Sequence, residues 1–444
     1  MVLYLIVTGM IIVFFVAPAW FAFRREEAEA RVLLDEALAA GTHEPSTIYP
    51  WVNPSLCMGS GTCVSVCPED AVLQVVEGRA RLVNGSECVG HGVCAASCPT
   101  QAIELRFGTE RRGVDIPALD SEFQTNVPGI YVVGELGGMG LIANAVRQGV
   151  EAVGYIAQAL PKRVGGALDI IIVGGGPAGL GASLEATRRG LSHVVLEQDE
   201  LGGSIRHFPR QKIVMSHGLT LPGRPPIASA TISKEELVDL LLNAATEAKL
   251  PICERETVLS VSRMPDGVFE VQTSKRFPRA MRVLLAVGRR GSPRKLGVPG
   301  EDLTKVAYRL LDPELIQHSH VLVVGGGDSA IEAACSIADY PTNRVTIAYR
   351  GDNFGRAKAG NRARLDAAVA AGSLVVMWKS EVSSITPDRV FLTTPEGEKV
   401  IPNDLVFVFA GGVLPTNFLL AAGVEVERHF GERVETLDST YGHE

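Results

Sequence analysis

Cysteine is nearly missing from most of this 444-residue chain. Six of its eight cysteines lie between Cys57 and Cys98, and the other two, Cys253 and Cys335, stand alone. A disulfide framework does not cluster this way, whereas a metal centre does. Net positive charge is also missing: 42 Lys and Arg face 50 Asp and Glu, a net charge of −8. That leaves no electrostatic footprint for nucleic acid. The first stretch, Met1–Phe23, has no charged side chain. As a helix it would reach about 35 Å at 1.5 Å per residue, enough to cross a bilayer. No Lys or Arg precedes it, and Arg24, Arg25 and Arg31 follow. The positive-inside rule then puts the body of the protein on the cytoplasmic side, as a single-pass protein of the inner (cytoplasmic) membrane. A cleaved signal peptide is the rival, with Ala17-Pro18-Ala19 as a loose cleavage site, but the basic n-region it needs is absent.

What is present is organised around Asp169–Asp199. A β-branched run, Ile170–Val173, precedes Gly174, Gly176 and Gly179 at G-x-G-x-x-G spacing. An Ala-rich amphipathic stretch follows, then a second apolar run ending at Glu197. Such glycines make a tight turn and bring backbone up to a pyrophosphate at a helix N-terminus, and the acid accepts from an adenosine ribose. His320–Arg350 repeats the unit, with Gly325, Gly327 and Ala330 at the fingerprint positions. Its second strand ends in Tyr349-Arg350 instead of an acid, and Arg356 and Lys358 follow. Arginine in place of an acid favours the 2′-phosphate of NADPH, with NADH the weaker candidate. The fold class is therefore α/β, with two Rossmann-like three-layer nucleotide-binding domains.

The cysteines read Cys57-MGSGT-Cys63-VSV-Cys67-Pro68 and Cys88-VGHGV-Cys94-AAS-Cys98-Pro99, with a strand pair expected between them over 71–83. This resembles the bacterial two-cluster ferredoxin, a small α+β domain whose pattern is C-x2-C-x2-C-x3-C-P, twice. In that family the fourth cysteine of each run serves the other cluster. The resemblance implies one iron–sulfur cluster on Cys57, Cys63 and Cys98 and another on Cys88, Cys94 and Cys67. The second cysteine of each run is replaced, by Ser60 and by His91. Three thiolates suit [3Fe–4S]; [4Fe–4S] would need Ser60 or His91 as a fourth ligand, and the alternative is that both are loop residues. A structural zinc site is the rival reading of the module.

Asn126–Ala157 carries an apolar strand, Ile130–Val133, then Gly134-Glu135, a glycine turn and a helix. This resembles the closing FAD motif of the pyridine nucleotide-disulfide oxidoreductase superfamily, thioredoxin-reductase-like. The resemblance implies that Glu135 takes the place of the acid that holds the ribityl chain, that Gln148 contacts flavin, and that the helix near Leu141 points its N-terminus at the flavin pyrimidine. In the superfamily this motif comes last; here it precedes the first glycine loop, which implies a circular permutation joined through Leu160–Leu168. Gly203 lies in a second flavin-approach loop, and Arg210 and Lys212 continue it as groups able to reach phosphates. Val406–Gly412, with Asp404 before it, is expected as the strand returning to flavin. The stretch Gly202–Lys212 and the segment YRGDNFGRAK also resemble bacillithiol-disulfide-reductase-like flavoproteins, which have a cysteine in the first glycine loop where Ala178 stands.

The expected order is a transmembrane anchor (1–23), a helical linker (24–48) carrying a solvated helix over 26–40, a dicluster ferredoxin-like domain (49–108), the permuted FAD segment (109–160), the FAD domain (168–300), the NAD(P)H domain (301–402) and a return strand with tail (403–444). The expected function is a membrane-anchored oxidoreductase passing electrons between NADPH, FAD, two clusters and a partner: a ferredoxin, a quinone or a redox enzyme. A thiol/disulfide reductase drawing on the ferredoxin module and a non-catalytic redox sensor are the alternatives, and the family leaves room for a homodimer.

Overall fold

The computed structural model of the chain describes residues 4, 13–14, 17–45, 48–69, 71–110, 113–138, 140–161, 165–208, 210, 212–215, 218–227, 231–289, 292–355, 357–413 and 415–433. Two compact units emerge, Met1–Arg112 with Gly431–Glu444, and Gly113–Phe430.

The first unit begins with helix α1 (Ala17–Ala40). Of the expected anchor only residues 4, 13–14 and 17–23 are described, and among the described residues no helix is long and apolar enough to cross a membrane. The charged half of α1 is no solvated spacer. Ala30 and Ala37, two helical turns apart, are buried; Arg31 pairs with Glu77 at 2.9 Å, and Glu27 accepts from the Glu77 N–H at 3.1 Å. Strand β1 (Ile48–Val52) opens the ferredoxin-like domain, with Ile48 and Pro50 buried. It pairs antiparallel with β4 (Ile103–Phe107). Between them β2 (Leu73–Val76) and β3 (Arg79–Leu82) form a hairpin. Its two loop residues, Glu77 and Gly78, both have positive φ, 56° and 70°, the type I′ turn that matches strand twist. Two single-turn helices, Thr62–Ser65 and Val93–Ala96, each follow a left-handed glycine, Gly61 and Gly92. This repeats the half-motif and brings Cys63 and Cys94 into one core with Val72, Leu73, Ala80 and Ile103.

The second unit starts with β5 (Val114–Pro117) and β6 (Ile130–Val132), then α2 (Ile142–Gln158). The first nucleotide unit follows as β7 (Leu168–Val173), α3 (Pro177–Arg188) and β8 (His193–Leu196). These join β9 (Arg279–Leu285) in a seven-stranded sheet. β9 pairs in parallel with β7 on one side and with β6 on the other, Val283 facing both Ile171 and Ile130. The sheet is covered on both faces, so its parallel strands are continuously apolar. Odd and even positions part cleanly. Ile171, Val173, Val283 and Leu285 face one side with Leu419 and Val424. Ile170, Ile172 and Leu284 face α3 and α2 on the other. Each buried Val or Ile there contributes about 1.5–3 kcal/mol.

The second nucleotide unit is β10 (His320–Val324), α4 (Asp328–Ala338) and β11 (Arg344–Tyr349), with β12 (Leu374–Trp378) and β13 (Leu405–Val408). With Val306–Ala307 they form a five-stranded parallel sheet. Two expectations need correcting. β13 does not reach the first nucleotide unit: Leu322 faces Val406 in parallel register, so it belongs to the sheet of the second. The crossing back is made by Gly412–Val413, paired antiparallel with Ser292–Pro293. The residues after it are also more than a tail, since Leu419 and Val424 are buried in the flavin core and Val426–His429 pairs with β5.

On α3 the buried Glu185 accepts from Arg188 Nε at 2.7 Å and Arg189 Nε at 2.6 Å. The Arg188 hydrogen bond is the largest of the effects that hold its carboxyl below the usual 4.5. Stability from this group is present above that value and lost as pH falls through the depressed one. Glu185→Gln is expected to flatten the stability–pH curve below pH 4.5; chemical denaturation from pH 3 to 7 reads it.

Candidate nucleotide and cluster sites

The first glycine loop is shaped by backbone contacts that leave no room for a side chain. Gly174 turns at φ +106°, and a Cβ there would stand 2.5 Å from the Ala286 carbonyl at the end of β9. A Cβ on Gly179 would enter the Gly174 carbonyl oxygen. At Gly176, by contrast, a Cβ would meet nothing within 4 Å among the described residues. The α3 N-terminus is therefore open where its unpaired N–H groups could take a pyrophosphate. Glu197 ends β8, and its Oε2 accepts from Gly175 N–H at 2.6 Å while Oε1 accepts from Asp199 N–H at 2.8 Å. Burial pushes this carboxyl up. Gly202 N–H bonds to the Gly175 carbonyl at 2.9 Å, which lays Gly203 against Gly176.

The closing segment arrives from the other side. Gly134 turns at φ +80° next to Ala178, and its N–H donates to Gln148 Oε1 at 2.8 Å. Gln148 therefore latches the turn to the helix, a job the sequence did not suggest. Helices α2 and α3 touch through glycine: a Cβ on Gly149 would enter the Ala178 carbonyl, and one on Gly181 would stand 2.7 Å from the Val146 carbonyl. Gly134 and Glu135, Gly174–Gly179 and Gly203 thus gather at the carboxyl ends of β6, β7 and β9, where open α/β sheets bind ligands. Arg289, just past β9, joins them. Sequence reading passed it over; its signal is a Gly-Arg step at the carboxyl end of a sheet strand.

In the second lobe Gly325 packs against the Phe409 carbonyl and Ala330, and a Cβ on Gly327 would meet nothing within 4 Å. Tyr349 lies against Gly326 and Gly351 and stacks on Phe354 at 5.3 Å, a ring that the motif alone did not single out. Arg350 is exposed beside it, and Arg356 lies outside the described residues. Arg210 and Lys212, expected as groups able to reach phosphates, pair with Asp312 and Glu332.

In the first unit Cys57, Cys63 and Cys98 line one cavity, with Ser60 and Thr100 on its wall. N–H groups of Ala80 and Ala102 point at Cys57 and Cys98 sulfur, at 3.4 and 3.3 Å. Burial pushes Cys63 up, with the fields of Cys57 and Cys98 adding to it. Burial likewise pushes Cys94 up to about 12, with Cys88 and Cys67 adding. Among the described residues no three His, Cys, Asp or Glu groups close on a point as for a single metal ion. Three thiols around a cavity suit a larger inorganic core. His91 Nε2 stands 4.0 Å from Glu69, and Ser60 Oγ stands 3.2 Å from Thr62 Oγ1.

Two dinucleotide lobes joined by a two-stranded link, one with a second ligand-facing segment, define a flavin-dependent pyridine-nucleotide oxidoreductase. Comparison with known proteins agrees. The model of the pyridine nucleotide-disulphide oxidoreductase family matches residues 171–439, and that of the 4Fe-4S dicluster domain matches residues 49–99. The bacilliredoxin reductase Bdr of Bacillus subtilis (strain 168) is 28% identical over 270 residues, 59% of this chain and 82% of the relative. Ferredoxin--NADP reductase 2 of Sulfolobus acidocaldarius is 31% identical over 254 residues, 55% of this chain and 72% of the relative. Among solved structures, the bacillithiol disulfide reductase of Staphylococcus aureus superposes with a TM-score of 0.52 at 27% identity, covering 58% of this chain and 81% of that one. The chain belongs to the pyridine nucleotide-disulphide oxidoreductase family, with a 4Fe-4S dicluster ferredoxin domain fused ahead of it.

Proposed function

We propose that this oxidoreductase moves electrons between NADPH, FAD and two iron–sulfur clusters, and exchanges them with a redox partner such as a ferredoxin, a quinone or a redox enzyme. The observation that carries this is the union, in one chain, of two open glycine loops and six cysteines arranged as two sets of three. When bound, flavin would supply the step between two-electron hydride chemistry and one-electron carriers. Gly174–Gly179 and Glu197 would hold its dinucleotide part, and Gly134 and Glu135 would meet its ring end. Ser60, on the first cavity wall, and His91, beside the second set, decide between [3Fe–4S] and [4Fe–4S]. The disulfide route named for the bacilliredoxin relative has less support: Cys335 is 1% exposed, Cys253 lies against Arg276, and Ala178 replaces the loop cysteine. We also propose that Met1–Phe23 anchors the chain in the inner membrane, body to the cytoplasm; co-sedimentation with membranes, lost when the chain starts at Arg24, checks it.

Anaerobic mixing with NADPH tests the electron path. Bleaching of the flavin band followed by a change in the clusters' EPR signal is expected. Flavin bleaching with unchanged clusters, together with turnover of a disulfide, would overturn it. Arg350→Ala is expected to raise KM for NADPH about tenfold or more, the loss of one charged hydrogen bond, with KM for NADH unchanged; steady-state kinetics with both nucleotides reads it.

A further inference from the structure

Arg289 leaves the carboxyl end of the central strand. Ala286 N–H bonds back to Val173 at 2.7 Å and Val133 N–H bonds to Leu285 at 3.0 Å. The peptide that follows, Val287-Gly288-Arg289, therefore emerges between the Gly174 loop and the Gly134-Glu135 turn. Among the described residues the guanidinium is held on one side only. Nη2 donates to the Asp115 carbonyl at 3.2 Å, while Nη1 is buried with no hydrogen-bond partner among them. Of the two carboxylates whose fields reach it, Asp115 and Glu135, Asp115 is already engaged by Arg428 at 2.6 and 2.9 Å. A buried charged donor left without an acceptor is costly, and native proteins rarely keep one. At the mouth of a ligand crevice the acceptor is supplied by the ligand.

We infer that Arg289 is a positioning residue for flavin, presenting its inner N–H and positive charge to the pyrimidine edge of the ring and balancing Glu135. This rests on the FAD reading above. Two acceptors on that cofactor compete for the role. The pyrophosphate belongs to the open α3 N-terminus. Arg289 shares its neighbourhood with Glu135, on the segment whose helix faces the pyrimidine in the family it resembles. Hydride transfer to a bound flavin would add two electrons and one proton, one negative charge in all. A fixed cation at the edge that collects this charge favours the reduced form and keeps a second proton off it.

The test is the flavin midpoint potential of the full chain, measured by spectroelectrochemistry from pH 6 to 9. Arg289→Gln is expected to disfavour reduction about tenfold, which for a two-electron couple is about 30 mV more negative. The wild type is expected to fall by about 30 mV per pH unit, one proton per two electrons, and Arg289→Gln to steepen toward twice that at low pH. Arg289→Lys should restore both. Arg289→Gln with full flavin and wild-type potential and slope would overturn the inference. If Arg289→Gln keeps no flavin, Arg289→Lys decides: a wild-type potential supports a role for the charge, and a tenfold shift despite the lysine refutes it. A wild-type chain that binds no FAD would instead remove the reading on which this rests.

Discussion

Gly149→Ala is expected to yield a protein that purifies with little or no flavin and unfolds about 1–3 kcal/mol more easily. The new methyl would enter the Ala178 carbonyl oxygen. That atom is backbone in the first turn of α3, pinned by the glycine loop, so it cannot swing aside. Helix α2 must move away instead. Its neighbour Gln148 holds the Gly134 N–H at 2.8 Å, so the displacement passes to the turn expected to meet the ring. The two walls of the cofactor site part together. Gly154→Ala, on the same helix, is the control. Its Cβ would stand 3.5 Å from the tip of Arg189, a flexible side chain. Alanine there should leave flavin bound and add up to about 1 kcal/mol through helix propensity. Thermal unfolding and the visible flavin band of both variants read the contrast; equal flavin in the two would refute the close-packing account.

Alanine replacements of the six clustered cysteines are expected to fall into two phenotypes that cut across the sequence. Cys57, Cys63 and Cys98 line the same cavity, and Cys94 feels Cys88 and Cys67 more strongly than it feels Cys63. Cys98→Ala should therefore erase the same EPR signal as Cys57→Ala, although Cys98 ends the other run. Cys67→Ala should behave like Cys88→Ala and Cys94→Ala. Each variant should keep about half the iron, since one cluster loses one of its three thiolates and the other keeps all its own. Grouping by run, with Cys67 tracking Cys57, would refute the crossed arrangement.

Much of this was legible because glycine and cysteine spacings are local. Gly174, Gly176 and Gly179 stand within one turn of each other, and the apolar runs on either side announce the strands that frame them. The cysteine runs carry their own internal repeat. Other features depend on what meets in space. An apolar run such as Leu405–Val408 declares a buried strand but not which sheet receives it; its neighbour Leu322 decides that. Thr416–Ala421 is too short to show a helical stripe, so burial of Leu419 was invisible. The docking of α1 rests on two alanines, the least conspicuous of apolar residues. Arg289 sits in a basic, glycine-containing stretch with no periodic signal, and only the pairing of β9 with β6 and β7 places it.

Strand β6 also bears on how the chain is made. Its parallel partner β9 is synthesised about 150 residues later, and domains tend to fold as units during synthesis. At 5–20 residues per second that is a wait on the order of ten seconds, with Ile130, Tyr131 and Val132 lacking the strand that will bury them. The ferredoxin half-motifs, by contrast, lie close together near the N-terminus, and only the short pairing of Glu432–Arg433 with β4 waits for later chain. Newly made protein should therefore be able to assemble its iron–sulfur module while the flavin lobe is still an open sheet, and that interval is when the nascent chain is most exposed to aggregation and most in need of a chaperone.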